Sequence, residues 1–400
     1  METDKFTDRQ PVKGVSKNTF WAWIAVTLIL GFAWGTRIDQ MAAVFGPMFG
    51  VKVDTSVVET AGLQEVYRTL RAEYDGDLDT AKLANGAKRG LAEATGDPYT
   101  VFMDKDEAVE FRKQIDGEVT GIGAEIGVRN GQPTIMRVLP GSPAEAAGVK
   151  KGDIIAGIND ISAESVGAGK AAEQIRGQEG TTVKITMLRN KEFKEFSIVR
   201  QKVDNPSVEY SIENGIGILS LSRFDGETGN LAKKAAQEFK KAGVRGVILD
   251  LRGNGGGTLD SSVEVASLWL RDKTVVTEKS RSGMNIVKRS VGEPILEGIK
   301  TVVLVDNSSA SASEIVAGAL QDHRAATLVG EKTYGKGSVQ KVIDLRGEAI
   351  LKVTIAKWYT PADQNINGNG IKPDQEVKLT TADIDADRDL QLDAAKKQLE

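Results

Sequence analysis

Apolar positions along the chain change period several times. Between 55 and 91 they recur at helical spacing, as in Leu63, Val66 and Leu70 with Tyr67 and Tyr74, set among charged residues. This predicts helices with one solvated face, a packing or dimer arm. Gly96-Asp97-Pro98 then breaks the pattern. From about 110 to 203 short apolar runs alternate between glycines, which predicts a small β-rich domain. From Val208 onward the pattern turns to strands over 217–222, 246–251 and 301–305, separated by helices near 230–242 and 260–270. Such alternation predicts an α/β layered core. The tail from Thr381 is polar and helical, with Leu390, Leu392 and Leu399 available for docking.

The N-terminal pattern is of another kind. Residues 20–34 read FWAWIAVTLILGFAW, uncharged throughout and preceded by Arg9, Lys13 and Lys17. Such a run sits near the lower limit of about 17 apolar residues for crossing a bilayer, and the basic residues upstream favour a cytoplasmic N-terminus. The expectation is a single-pass cell-membrane anchor over 20–36, with residues 1–19 cytoplasmic and everything after it on the extracytoplasmic side. A cleaved signal peptide is the competing reading, but Ala33-Trp34-Gly35 is a poor small-x-small site.

Composition mainly removes chemistries. The 400 residues carry a net charge of −4 and no Lys/Arg run mixed with aromatics, so no nucleic acid partner is expected. There is no cysteine, which excludes disulfides, thiolate nucleophiles and zinc-thiolate sites. With a single histidine and no EF-hand spacing, neither metal nor other cofactor is implied. DLRGNGGG, from Asp250, follows an apolar strand, but a dinucleotide fingerprint begun at Gly253 would need glycine where Thr258 stands. GEKTYGK, from Gly330, lacks the closing Ser or Thr of a P-loop and leads into an alternating strand pattern over 338–345 instead of a helix.

VDNSSASASEIV, from Val305, holds four serines in six residues. Ser311 followed by Glu314 ahead of an apolar run is a capping box, so that serine could be architecture alone. If Ser311 opens a helix to about Gln321, the lone His323 lies roughly 18 Å along its axis and cannot be the base. The histidine reads as a surface or capping residue. Lys336, between Gly335 and Gly337, is the remaining base, provided that burial lowers its pKa by several units. Spacing alone favours an exposed turn there.

The combination changes the picture. SASASEI, Lys336 a further 25 positions beyond Ser311, Gln340 four beyond that, GVILDLRGNGGG, and TPADQNINGNGIKPDQEV occur in the order that resembles the C-terminal processing peptidases, also called tail-specific proteases. The resemblance implies Ser311 as nucleophile, Lys336 as general base and Gln340 as the residue that orients the lysine amine. It implies oxyanion donors at the Ala312 N–H, at the N-terminus of a helix, and at Gly256 or Gly257. Gly255 departs from the family, which often carries proline there. The middle section, with TGIGAEI and GSPAEAAGVKKGDIIAGIND, resembles a PDZ domain. Its Gly121, Ile122, Gly123 and Ala124 would take a peptide C-terminal carboxylate while the peptide adds as a strand. Arg176, near the end of that domain, is the implied link to the core.

The resulting expectation is an α/β fold: a crotonase-like layered protease core over 208–380, an inserted PDZ domain over 109–203, an N-terminal helical region over 55–108 and a helical tail over 381–400. Its function would be a Ser-Lys serine endopeptidase, without cofactor, cleaving extracytoplasmic polypeptides bound by their C-termini. The rival is a membrane-tethered, non-catalytic PDZ adaptor. A homodimer or higher oligomer and a regulatory partner protein are left open by the sequence.

Overall fold

The computed structural model describes residues 60–400 apart from 116–118, 130, 160, 164–166, 204, 381–382, 384–385 and 387, together with 21, 23, 24, 26, 27 and 31. The expected cytoplasmic segment and most of the expected anchor lie outside the described residues. Among the described residues no helix is long and apolar enough to cross a membrane. The chain forms two compact units, Met1–Thr80 and Ala81–Glu400. Within the first, helix α1 (Thr60–Glu73) has the predicted apolar stripe, with Leu63 and Val66 exposed and no residue buried.

The second unit begins with α2 (Thr80–Glu93), a short strand β1 (Val101–Met103) and α3 (Lys105–Ile115). Asp104 starts α3: its Oδ1 accepts the Glu107 N–H, while Glu107 Oε2 accepts the Asp104 N–H in return. Acids in the first turn and Arg112 and Lys113 in the last complement the helix dipole.

The glycine-rich section folds as predicted into a small β domain. Its elements are β2 (Val119–Gly121), β3 (Ala124–Arg129), β4 (Gln132–Val138), α4 (Pro143–Ala146), β5 (Ile154–Ile158), β6 (Ile161–Ser162), α5 (Gly167–Ile175), β7 (Thr182–Arg189), β8 (Glu192–Val199) and β9 (Gln201–Val203). The main sheet runs β3-β4-β5-β7-β8, antiparallel throughout, and β2 pairs with β9. Val183, Ile185 and Met187 alternate inward on β7, joining Ile135, Ile155 and the α5 residues Ala171 and Ile175 in one core. Strand β3 is an edge of this sheet.

The layered core follows: β10 (Val208–Glu213), β11 (Ile216–Leu221), α6 (Thr228–Ala242), β12 (Gly246–Asp250), α7 (Leu259–Ala266), β13 (Thr274–Ser280), β14 (Asn285–Arg289), β15 (Lys300–Val305), α8 (Ala312–Asp322), β16 (Thr327–Gly330), β17 (Ser338–Asp344), β18 (Ile350–Tyr359), β19 (Gln375–Glu376) and α9 (Leu390–Leu399). One sheet has the order β10-β11-β12-β15-β16-β19, parallel from β11 onward. Both of its faces are covered, which is why GVILD and TVVLV read as continuous apolar runs. Val247, Leu249 and Val303 pack with α6, α7 and α8 on one side; Ile248, Val302 and Leu304 meet Ala395 and Leu399 of α9 on the other. Arg252 fixes that tail helix by pairing with both Asp250 and Asp389. The second sheet, β1-β18-β13-β14 with β17 on β18, is antiparallel.

This topology positions the chemistry. Strands β12 and β15 are parallel neighbours with Asp250 opposite Leu304, so the loops leaving their C-terminal ends, the glycine run and the serine run, emerge side by side.

Candidate active site

Three of the four serines in the run after β15 are committed to structure. Ser309 Oγ donates to Leu251 O at 2.8 Å, Ser313 Oγ to Asn254 O at 2.9 Å, and Ser308 Oγ to Asn307 Oδ1 at 3.3 Å. Ser311 stands at the N-cap of α8 in the expected capping box with Glu314, but its hydroxyl accepts no cap hydrogen bond of full geometry. Its backbone is strained, with φ 54° and ψ −113°, a conformation that non-glycine residues hold only under constraint from their surroundings.

Glu314 supplies that constraint. It is fully buried on an otherwise apolar stretch of helix. Its Oε2 accepts the Ser311 N–H at 2.9 Å and the Lys336 N–H at 2.9 Å; its Oε1 accepts the Thr333 hydroxyl at 2.6 Å and the Gly335 N–H at 2.7 Å. One carboxylate therefore ties the serine loop to the lysine loop. The loop's other face is held by Trp358, whose Nε1 donates to Lys336 O at 2.8 Å, and by Asn367, whose Oδ1 accepts the Gly337 N–H at 3.2 Å. The close approach expected of the flanking glycines is real: a Cβ on Gly337 would lie 2.6 Å from Asn367 N.

Ser311 and Lys336 line one cavity of about 530 Å³, walled by Phe111, Phe224, Ile315, Val342 and Trp358. The cavity opens where α3, the glycine run, α8 and the β17–β18 hairpin meet. No hydrogen bond joins the Ser311 hydroxyl to the Lys336 amine in this structure. Burial pushes the Lys336 pKa below the ordinary lysine value and the Lys352 ammonium pushes it the same way, against the opposing fields of Glu314 and Asp97. Lys352 lines the same cavity, with its amine 5.6 Å from the Phe111 ring centroid, and is itself lowered by burial. The Lys336 amine lies 5.0 Å from the Tyr99 ring centroid. Burial and Tyr334 push the Tyr99 phenol up to about 12, so it stays neutral. With Lys336 as the expected base, which must be deprotonated to act, activity should rise with pH through the Lys336 pKa. Lys352→Gln removes one of the two depressing influences, so the acidic limb of the kcat/KM profile is expected to move to higher pH; an unmoved limb would show that Lys352 does not tune the base.

The glycine run faces the same point. A Cβ on Gly256, at φ 98°, would lie 2.8 Å from Ser311 Cβ and 2.9 Å from Ala312 N, and one on Gly257, at φ 151°, would lie 1.9 Å from Phe224 O. Buried Asn254 fixes the turn: its Oδ1 accepts the Gly256 N–H at 2.8 Å, its Nδ2 donates to Leu221 O at 2.8 Å, and its own carbonyl accepts the Ala310 N–H at 3.0 Å. Of the two glycines expected as donors, Gly256 thus has its N–H engaged, whereas no hydrogen bond takes up the N–H of Gly257 or of Ala312.

The chain is 35% identical over 363 residues, 90% of its length and 73% of the relative's, to the "Probable CtpA-like serine protease" of Staphylococcus haemolyticus (strain JCSC1435). It belongs to that family, the CtpA-like serine proteases. The protein of the same description from Staphylococcus aureus (strain COL) is 35% identical over 79% of this chain and 64% of its own length. The Peptidase family S41 model matches residues 215–377, a PDZ domain model 103–188, and the model for the N-terminal domain of activating protease CtpB 49–107. Among solved structures, the photosystem II D1 C-terminal processing protease aligns with TM-score 0.58 at 28% identity, covering 80% of this chain and 87% of that one. A structure from Bacteroides fragilis NCTC 9343, at TM-score 0.57 and 19% identity over 78% of this chain and 89% of that one, shares the fold. The chain is therefore a serine peptidase with a PDZ domain, and the adaptor alternative falls.

Within this CtpA-like protease the remaining expected residues stand as follows. Gln340 lines the cavity, but its amide donates to Ser338 Oγ at 2.9 Å and Thr354 Oγ1 at 3.2 Å, not to the lysine amine. Gly121 closes β2, Ile122 and Gly123 form the turn, and Ala124 opens edge strand β3, beside α5. Arg176 is exposed and makes no ion pair among the described residues; a Cβ on Gly121 would lie 4.0 Å from its Cγ. The polar link from the PDZ domain to the core is made by Arg137, between Glu125 at 2.9 Å and Glu209 of β10 at 2.8 Å. His323 is the C-cap of α8, with Nε2 2.7 Å from Thr274 O. Sequence reasoning missed Tyr99, Lys352, Asn254 and Arg137, and saw Glu314 only as a cap. The one available signal was a lone acid in an apolar helix, which must find partners when buried.

Proposed function

We propose that the chain is a membrane-anchored processing peptidase that cleaves extracytoplasmic polypeptides selected by their C-terminal tails. The observation that carries the catalytic part is a single buried carboxylate, Glu314, bonding both the nucleophile and the base loops. Ser311 Oγ attacks the scissile carbonyl as its proton passes to neutral Lys336 Nζ. The resulting oxyanion meets the Ala312 and Gly257 N–H groups, at the positive end of α8. Collapse of the intermediate expels the amine, which takes the proton from Lys336, and water hydrolyses the acyl-serine with the lysine again as base. Bound peptide brings the two groups into hydrogen-bond reach, with the Gln340 amide turning from Ser338 to orient the lysine.

Tail capture is supported by the unpaired edge of β3, next to α5, and by the Gly121–Ala124 turn, where peptide N–H groups can take a carboxylate. Arg176, beside that turn and in no ion pair among the described residues, would answer the arriving charge and pass it on to the core. The domain limits 55–108, 109–203, 208–380 and 381–400 serve this division of labour, and the apolar run at 20–36 would hold it at the membrane. The test uses the full chain in detergent and an unstructured polypeptide with a free or an amidated C-terminus. The free tail is expected to be cleaved about tenfold faster, a difference worth about 1.4 kcal/mol. Equal rates would remove tail recognition and leave the peptidase.

A further inference from the structure

The cavity beside Ser311 holds a positive charge that the chain leaves uncompensated. Arg223, Lys336 and Lys352 line it, and no acidic residue does. Arg223 is accounted for, because its Nε lies 2.9 Å from Asp225 Oδ2. Lys336 is needed as the neutral amine. Lys352 is left.

Lys352 projects from β18, where it stands opposite Val342 of β17, another residue of the cavity wall. The neighbouring pair on the same face of the hairpin is Thr354 opposite Gln340, whose Nε2 donates to Thr354 Oγ1 at 3.2 Å. Two residues along a strand span about 7 Å, so Lys352 stands one such step from Gln340 within the cleft. The side chain is half-buried, and its Nζ is not among the nitrogens sealed from solvent. Among the described residues its one partner is the Phe111 ring, with the centroid 5.6 Å away. Every acid that could answer it is engaged elsewhere. Asp97, whose field reaches Lys352, accepts the Tyr99 N–H and the Thr100 hydroxyl. On the hairpin itself, Asp344 pairs with Arg112 at 2.6 Å and Glu348 pairs with Lys105, both from α3.

An ammonium carries three donors, and an aromatic face offsets only part of the hydration lost when it is half-buried. A polypeptide in the cleft brings two kinds of acceptor. A peptide carbonyl takes one donor and leaves the charge standing, whereas a carboxylate answers both. We propose that Lys352 is a specificity-determining residue of the cleft and pairs with a carboxylate of the substrate close to the scissile bond. This rests on Ser311 and Lys336 being the working dyad of the same cavity. The carboxylate has two sources: an Asp or Glu side chain near the cleaved bond, or the free C-terminus of a short leaving tail.

The experiment measures kcat/KM of the full chain at neutral pH on two sets of quenched peptides. In one, Glu replaces Gln singly at each position flanking the bond; in the other, peptides with a short leaving tail end in a free acid or an amide. Since kcat/KM reports the ionisations of the free enzyme, the ratio for two peptides on one variant is unaffected by any change in the Lys336 pKa. At one position or at the terminus the carboxylate is expected to give about a tenfold advantage, about 1.4 kcal/mol, which added salt reduces. Lys352→Arg should keep that preference and Lys352→Gln compress it to below about twofold. Lys352→Glu should reverse it, favouring Lys at the same position or the amide at the terminus, an outcome that misfolding cannot mimic. The proposal is overturned if the wild type shows no preference in either set, or if Lys352→Gln keeps it in full. Ser311→Ala separates the two levels: turnover that survives it removes the dyad and the proposal together, while turnover that depends on it but ignores charge removes the proposal alone.

Discussion

Replacing Lys336 with methionine is expected to lower kcat/KM by about 10⁴-fold or more, and Ser311→Ala to do the same. The lysine substitution keeps the length and apolar stem of the side chain and deletes only the amine. The backbone of Lys336, which donates to Glu314 and accepts from Trp358, stays engaged. Loss of activity in a folded protein therefore reports on proton transfer. In the proposed mechanism nucleophile and base act as a unit, so the double variant should fall no further than either single one. Independent losses that multiply in the double variant would mean that another group takes the serine proton, and among the described residues His323 is bound at the far end of α8.

The second large effect is expected at Glu314, which no proton transfer requires. Its two oxygens accept four hydrogen bonds, one from Ser311 and the others from Thr333, Gly335 and Lys336. Glu314→Gln turns one acceptor into an NH₂ group facing two N–H or O–H donors in a site closed to water. Leaving two buried donors unpaired costs roughly 2–6 kcal/mol. Both loops must then shift, and a displacement of about 1 Å between reacting groups costs about 10²-fold in rate. The variant is expected to unfold at lower denaturant concentration and to lose about 10²-fold in kcat with a smaller change in KM. Full activity with full stability would show that the strained backbone of Ser311 needs no such clamp.

What was legible in the sequence was what is local. The alternation after Val208 yielded the strands at 216–221, 246–250 and 300–305 to within a residue, because apolar runs covered on both faces leave an unbroken signature, whereas β16 and β19 went unread and the helix expected over 260–270 ends at Ala266. The helix opened by Ser311 was visible as a capping box, and the ordered motifs around it pointed to the family. The clamp itself was not visible: beyond Ser311, its partners lie 19 to 22 positions away, in the loop between β16 and β17, and meet Glu314 only through the tertiary fold. Tyr99 and Lys352 come to Lys336 from segments on either side of the inserted domain, with no local pattern to mark them. Arg137 and Glu209 stand 72 positions apart, and each reads in isolation as a solvated surface charge.

The most direct measurement is the titration of the Lys336 amine itself, followed by nitrogen NMR in the full chain and set beside the pH dependence of peptide cleavage. The account requires the amine to titrate below the ordinary lysine range, with its midpoint on the acidic limb of the activity profile. An amine that stays protonated through the pH range of full activity would contradict it.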